Sequence, residues 1–168
     1  SGKQINFIPT MGNLHLGHVS LFKKSENIKE IRVVSIFVNP LQFDDDKDFD
    51  NYPRTIASDK KKLKAEGVDV LFLPDKQIIN AVKFAFRLGN ISKKLCGVDR
   101  CGHFEGVAKI ILKFLNLIKP DFITLGEKDY QQLLIIKKII TDFKLQTKVK
   151  SCPTVRNKDG IALSSRNK

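Results

Sequence analysis

The stretch Pro9-Thr10-Met11-Gly12-Asn13-Leu14-His15-Leu16-Gly17-His18 constrains the rest of this chain. A short apolar run, Ile5 to Ile8, precedes it and reads as a buried strand. Val19 to Ile31 follows as an expected helix, with Leu21, Phe22 and Ile28 on one side and Lys23, Glu26, Asn27 and Glu30 on the other. The order is therefore strand, glycine-bearing turn, helix start, with His15 and His18 expected in the first helical turn. The first N–H groups of a helix lack intrahelical partners and lie at the positive end of its dipole, so phosphates bind there readily. Gly12 and Gly17 carry no Cβ and would let a bulky ligand lie against the backbone. Their spacing of three puts the two histidines on one helix face, where imidazoles can donate to phosphate oxygens or stabilise a leaving oxyanion. A metal pair is the competing reading, but no Glu follows His15 as H-E-x-x-H requires.

At 168 residues and 42% hydrophobic content the chain can bury one core and reads as one domain. No apolar run approaches membrane-spanning length and no signal peptide opens the sequence, so no membrane partner is expected. Three cysteines, Cys96, Cys101 and Cys152, cannot all pair internally, which points to reduced thiols and a cytoplasmic location. Cys96, Cys101 and His103 lack a second ligand pair, so no metal site is expected. The net charge of +12 raises nucleic acid as a partner. The lysines, Lys60, Lys61, Lys62 and Lys64 among them, instead follow the pattern of solvated helix faces, without aromatic–basic interleaving. No nucleic acid is expected; a basic field suits an anionic substrate. Both ends look cut: Ser1-Gly2 leads straight into the first strand, and Lys168 follows a polar loop with no closing helix.

Further along, Ile31 to Val38 reads as a doubly buried central strand closed by Asn39-Pro40. The acidic run Asp44, Asp45, Asp46, Asp48 and Asp50 reads as a solvated loop or, more sharply, as a region near magnesium. A helix from Thr55 to Gly67, a strand from Val68 to Leu73, and a helical then irregular stretch from Asp75 to Lys94 are expected. Cys96 to Gly106, with three glycines, reads as a loop. Val107 to Ile118 is a helix, Phe122 to Leu125 a strand, Tyr130 to Phe143 a helix, Thr147 to Val149 a strand, and Pro153 to Lys168 a loop. Alternation of this kind implies an α/β fold, a doubly wound parallel sheet with helices on both faces and ligands beyond the carboxyl ends of the strands. Polar clusters fall there: His15 and His18, Gln42, then Lys128 and Asp129. A lysine such as Lys128 can neutralise charge on a transferring phosphorus centre. Neither a P-loop nor a G-x-G-x-x-G turn occurs.

His-x-Gly-His opening a helix is the signature of a Rossmann-like nucleotidyltransferase superfamily that includes class I aminoacyl-tRNA synthetases. The longer string from Pro9 to His18 resembles the pantothenate synthetase (pantoate–β-alanine ligase) family. So do Phe37-Val38-Asn39-Pro40-Leu41-Gln42-Phe43, Arg100 with Gly102-His103-Phe104, Gly126-Glu127-Lys128-Asp129-Tyr130-Gln131-Gln132, and Leu163-Ser164-Ser165-Arg166. Cys101 and Glu105 depart from the family pattern, and Ile78 to Leu95 matches least. The resemblance implies ATP-dependent condensation of pantoate with β-alanine through pantoyl adenylate, with ATP as substrate and Mg2+ alongside. His18, His15 and Lys128 would be catalytic. ATP would lie against Met11, Gly12, Asn13, Leu14, His15, Leu16, Gly17 and His18, against Gly126, Glu127, Lys128 and Asp129, and against Val155, Leu163, Ser164, Ser165 and Arg166. Gln42 and Gln132 would hold pantoate, with Gln42 near β-alanine too. Residues 1–168 would be the nucleotide- and pantoate-binding domain of a homodimer, without the family's C-terminal lid domain. Another His-x-Gly-His adenylyltransferase, or a basic nucleic-acid-binding module, is the alternative.

Overall fold

A computed structural model describes residues 2–24, 29–75, 77–80, 85 and 87–167. Five strands form one sheet in the order β3-β2-β1-β4-β5, and every pairing is parallel. They are β1 (Gln4–Thr10), β2 (Glu30–Ile36), β3 (Val70–Phe72), β4 (Phe122–Gly126) and β5 (Lys148–Cys152). The helices are α1 (Leu16–Lys24), α2 (Asp46–Asn51), α3 (Ile56–Ala65), α4 (Gln77–Asn80), α5 (His103–Ile118) and α6 (Tyr130–Asp142). Strand alternation sorts the apolar side chains. Phe7 of β1 faces α5 and α6 with Val33, Phe114, Ile123 and Ile136. Ile8, one residue on, faces α1 and α3 with Leu21, Phe22, Val34 and Leu63. The sheet is thus covered on both sides, which is why its strands read as continuous apolar runs. Strand order reverses direction between β1 and β4, and a crevice opens at their carboxyl ends.

Four expectations need correcting. The first helix is α1, Leu16–Lys24, and Glu30 is a buried residue opening β2, not a solvent-facing helical one. Its carboxylate accepts from Asn6 Nδ2 at 2.7 Å and pairs with Lys150, whose ammonium lies over the Phe122 ring. Glu26, Asn27 and Ile28 lie outside the described residues, as does part of the stretch expected helical after Asp75. The acidic run is not a loop throughout, because Asp45 caps α2 by accepting from the Lys47 N–H at 2.9 Å. The expected loop from Cys96 to Gly106 closes early: α5 begins at His103 behind Gly102, which adopts φ 81°. Gly106 is inside that helix because α5 presses on the turn Pro40–Gln42, and a Cβ there would stand 2.1 Å from the Leu41 carbonyl oxygen. Finally, His15 precedes α1 and only His18 lies in its first turn.

Candidate active site

The turn after β1 is held from beneath by α3. Gly12 and Asn13 both adopt positive φ, 82° and 47°, and reverse the chain toward α1. Asp59, wholly buried, accepts from the Asn13 N–H at 3.0 Å and the Leu14 N–H at 2.8 Å. Lys62, one helical turn on, donates to the Leu14 carbonyl. The Leu14 side chain itself is core, 1% exposed.

Above this floor the two imidazoles lie with ring centroids 4.1 Å apart. The His15 N–H donates to His18 Nδ1 at 3.2 Å, and the Gly17 N–H donates to His15 Nδ1 at 3.1 Å. A ring nitrogen that accepts carries no proton, so each neutral ring keeps its hydrogen on Nε2 as a donor. Burial, the other histidine and the ammonium groups of Lys128 and Lys62 push His18 down to about 3. Burial, then Lys128 and Lys62, lower His15 as well. Both rings are therefore neutral hydrogen-bond donors at ordinary pH.

Two readings of this turn change. Backbone N–H groups of Gly12, Asn13, Leu14, His15, Gly17, His18 and Val19 have protein acceptors, so side chains carry a large share of the donors available to an anion. The space beside Gly17 is taken by the His15 ring, 2.9 Å from where a Cβ would sit, and that beside Gly12 by Ile36 and Asp59. A side chain at either position would meet these protein atoms, and Gly17 still borders the open cleft.

Gln42 is fixed by neighbours on every side. Its Nε2 donates to Met11 Sδ at 2.9 Å, and its Oε1 accepts from Asn39 Nδ2 at 3.2 Å. The buried Asn39 also donates to the Gly106 carbonyl at 3.1 Å. The Gln42 carbonyl accepts from His103 Nδ1 at 2.6 Å and Arg100 Nη2 at 3.1 Å. Arg100 in turn pairs with Asp44 at 2.9 Å. Burial above all, with Arg100 adding, lowers His103, while its bond to the Gln42 carbonyl opposes this.

The opposite wall comes from the end of β4, where Gly126 leads through a short turn, Glu127–Asp129, into α6. Lys128, Asp129 and Gln132 line the crevice there. Gln131 turns away: it is buried and donates to the Ile91 and Lys94 carbonyls at 2.8 and 2.6 Å. The last wall is the C-terminal loop. The Leu163 N–H donates to the Val155 carbonyl at 3.0 Å, closing a small hairpin. Ser165 and Asn13 exchange hydrogen bonds of 3.2 and 3.1 Å. Arg166 pairs with Asp48 at 2.8 Å and lies over the Phe43 and Tyr52 rings.

One cleft of about 240 Å3 collects most of the nominated residues: Met11, His15, Gly17, His18, Gln42, Gly126, Lys128, Asp129, Gln132, Val155 and Leu163 to Arg166. Gly12, Asn13, Leu14, Leu16 and Glu127 do not line it. Leu16 points outward, 69% exposed. Below the polar rim the cleft is apolar, walled by Phe37, Val107, Ile110, Ile111 and Phe114. The cleft thus joins an apolar floor to a rim of hydroxyls, amides, imidazoles and cationic groups. Among the described residues no group of three or more His, Cys, Asp or Glu is arranged to hold a metal ion. Asp44, Asp45 and Asp48 of the acidic run are each engaged with protein donors.

Sequence reasoning missed Asp59, Lys62, Asn39 and Tyr52. Asp59 alone left a usable signal, since it lies four residues before the buried Leu63 on the inner stripe of α3, where a carboxylate needs a partner. Lys62 sits in a run of lysines whose pattern is that of a solvated face.

The pantoate-beta-alanine ligase family model matches residues 1–168. The chain is 47% identical over 168 residues to the pantothenate synthetase of Thermodesulfovibrio yellowstonii, covering 99% of this chain and 60% of the relative. It is 48% identical over 170 residues to that of Pseudomonas aeruginosa, with the same coverage. The chain thus spans about 60% of the length of the curated relatives it matches. The structure of Francisella tularensis pantoate-beta-alanine ligase, complexed with beta-gamma ATP and beta-alanine, superposes with a TM-score of 0.94 at 42% identity, over 98% of this chain and 64% of that one. Archaeoglobus fulgidus tyrosyl-tRNA synthetase shares the fold alone, with a TM-score of 0.60 at 12% identity over 98% of this chain and 59% of that one.

Proposed function

Because the chain belongs to the pantoate–β-alanine ligase family, we propose that it is the nucleotide- and pantoate-binding part of an ATP-dependent ligase joining pantoate to β-alanine. The observation that carries this reading is the meeting in one cleft of His15, His18 and Lys128 with Gln42 and Gln132. The Francisella relative, solved with beta-gamma ATP and beta-alanine, supports the same ligand set.

In the first step a pantoate carboxylate oxygen attacks the α phosphorus of ATP. The bond from that phosphorus to the bridging oxygen breaks, and pyrophosphate leaves with the bonding electrons. His15 and His18 donate Nε2–H bonds toward the oxygens that gain charge, and Lys128 neutralises from the opposite wall. The neutral state of both rings suits this role, because each donates without surrendering a proton. Gln42 and Gln132 orient the acid. Ser164, Ser165 and Arg166 take the outer phosphates. In the second step the amine of β-alanine attacks the acyl carbon, AMP leaves with its oxygen, and the amine loses a proton.

Magnesium would enter on the phosphates and offset their charge, held by few protein ligands. Three unpaired cysteines support a reducing, cytoplasmic setting. Among the described residues no helix is long and apolar enough to cross a membrane. Homodimerisation rests on the family alone, and sedimentation of the full-length protein tests it.

The test of function is exchange of labelled pyrophosphate into ATP, which should depend on pantoate and not on β-alanine. Addition of β-alanine should then release AMP and pantothenate in equal amounts. Exchange driven equally by pantetheine phosphate or nicotinate mononucleotide would instead identify a different adenylyltransferase.

A further inference from the structure

We propose that Asp59, with Lys62 one helical turn later, is the positioning device for the His15–His18 pair; the inference rests on the ligase reading above. Asp59 is wholly buried, and its bonds run to the turn after β1 and to Thr55 at the start of its own helix. Its two oxygens take the N–H groups of Asn13 and Leu14 at 3.0 and 2.8 Å, and Thr55 Oγ1 donates to it at 3.1 Å. Lys62 holds the Leu14 carbonyl. Both polar backbone groups of Leu14 therefore belong to α3 side chains, while its own side chain is sealed in the core.

The next peptide carries the aim to the rings. The His15 N–H orients His18 through Nδ1, and His15 is itself oriented by the Gly17 N–H. A displacement at Leu14 thus reaches both imidazoles through one peptide unit. The arrangement calls for a carboxylate. Two N–H donors converge on one group, so both of its oxygens must accept. An asparagine would accept one and turn its own N–H2 toward the other, leaving a buried backbone donor unpaired. Asp59 reaches no cleft surface and acts only through the histidines.

The test is Asp59→Asn in the full-length protein, with three readouts. Affinity for ATP should stay within about threefold of the original, while pantoate-driven adenylate formation slows about a hundredfold, the cost of misplacing a catalytic group by about 1 Å. In a background lacking both rings, His15→Ala with His18→Ala, the same substitution should cost less than about threefold, because residues acting as a unit are not additive. Imidazole 15N spectra of the ligand-free protein should show both rings protonated on Nε2 in the original and a tautomer mixture in Asp59→Asn.

An undiminished rate, a hundredfold loss that persists without both histidines, or unaltered tautomers would each overturn the proposal. If the original protein lacks pantoate-dependent exchange, the ligase reading falls and the tautomer spectra alone decide the role of Asp59. If Asp59→Asn does not fold, Lys62→Met is read the same way. It should slow adenylation about tenfold and disturb the tautomers, and an unchanged spectrum refutes the device.

Discussion

Arg166 and Asp48 are 118 residues apart, and their side chains form a two-pronged pair, Nη2 to Oδ2 at 2.8 Å and Nε to Oδ1 at 3.3 Å. The guanidinium nominated for phosphate thus rests on a carboxylate of α2 in the ligand-free protein. Phosphate must displace Asp48 or share Arg166 with it. Both partners are nearly half exposed, so the pair contributes at most about 1 kcal/mol. Asp48→Asn should therefore tighten ATP by no more than about fivefold and quicken proteolysis within the C-terminal loop. Calorimetric titration and limited digestion measure the two effects, and weaker ATP binding would show that Asp48 aims Arg166 instead of restraining it.

His18 predicts a pH dependence with a defined sign. Its pKa falls from the ordinary 6.5 to about 3 in the folded chain. Between those values the unfolded chain binds a proton that the folded one does not, so stability falls as pH drops through that window. The slope from this residue is at most about 1.4 kcal/mol per pH unit, and His15 and His103, also lowered, act in the same direction. Urea unfolding at several pH values from 7.5 down should show the decline, and His18→Gln should flatten it.

His18→Ala should slow adenylate formation by about 10²–10³ and leave ATP affinity largely intact, as expected for a donor needed when charge develops. Single-turnover adenylate formation checks this. A loss confined to ATP binding would make His18 a binding residue only.

Gln42→Ala and Gln132→Ala should each weaken pantoate about tenfold or more, the loss of a hydrogen bond to a charged group, roughly 1.5–3 kcal/mol. ATP affinity should hardly move. The two differ in a second respect. Gln42 is bonded to Met11 and Asn39, so its loss should also lower the urea midpoint, whereas Gln132→Ala should not.

Gly106→Ala tests the contact between α5 and the Gln42 turn. The new methyl would meet the Leu41 carbonyl at 2.1 Å, so backbone must move, at about 1–3 kcal/mol for an overpacked site. Reduced pantoate affinity should accompany the lost stability, because the displaced turn carries Gln42. Stability lost with pantoate affinity unchanged would separate the contact from the site.

How much was legible beforehand depends on the range of each signal. The parallel sheet, the helices on both its faces and the placement of His15, Gln42 and Lys128 at strand ends follow from local periodicity and turn chemistry, which the sequence carries on its own. The helix start at His103 was hidden by three glycines, one of which, Gly106, serves a packing contact and not a turn. Glu30 was misread because its partners, Asn6 and Lys150, lie 24 and 120 residues away. Asp59 follows the same rule: its place on the inner stripe of α3 marks a carboxylate in need of partners, but only folding brings the Asn13 and Leu14 N–H groups to it. A local pattern determines which element forms and which face it buries. Which polar group meets which is decided by the packed chain, because a buried charge is stable only beside partners that sequence distance conceals.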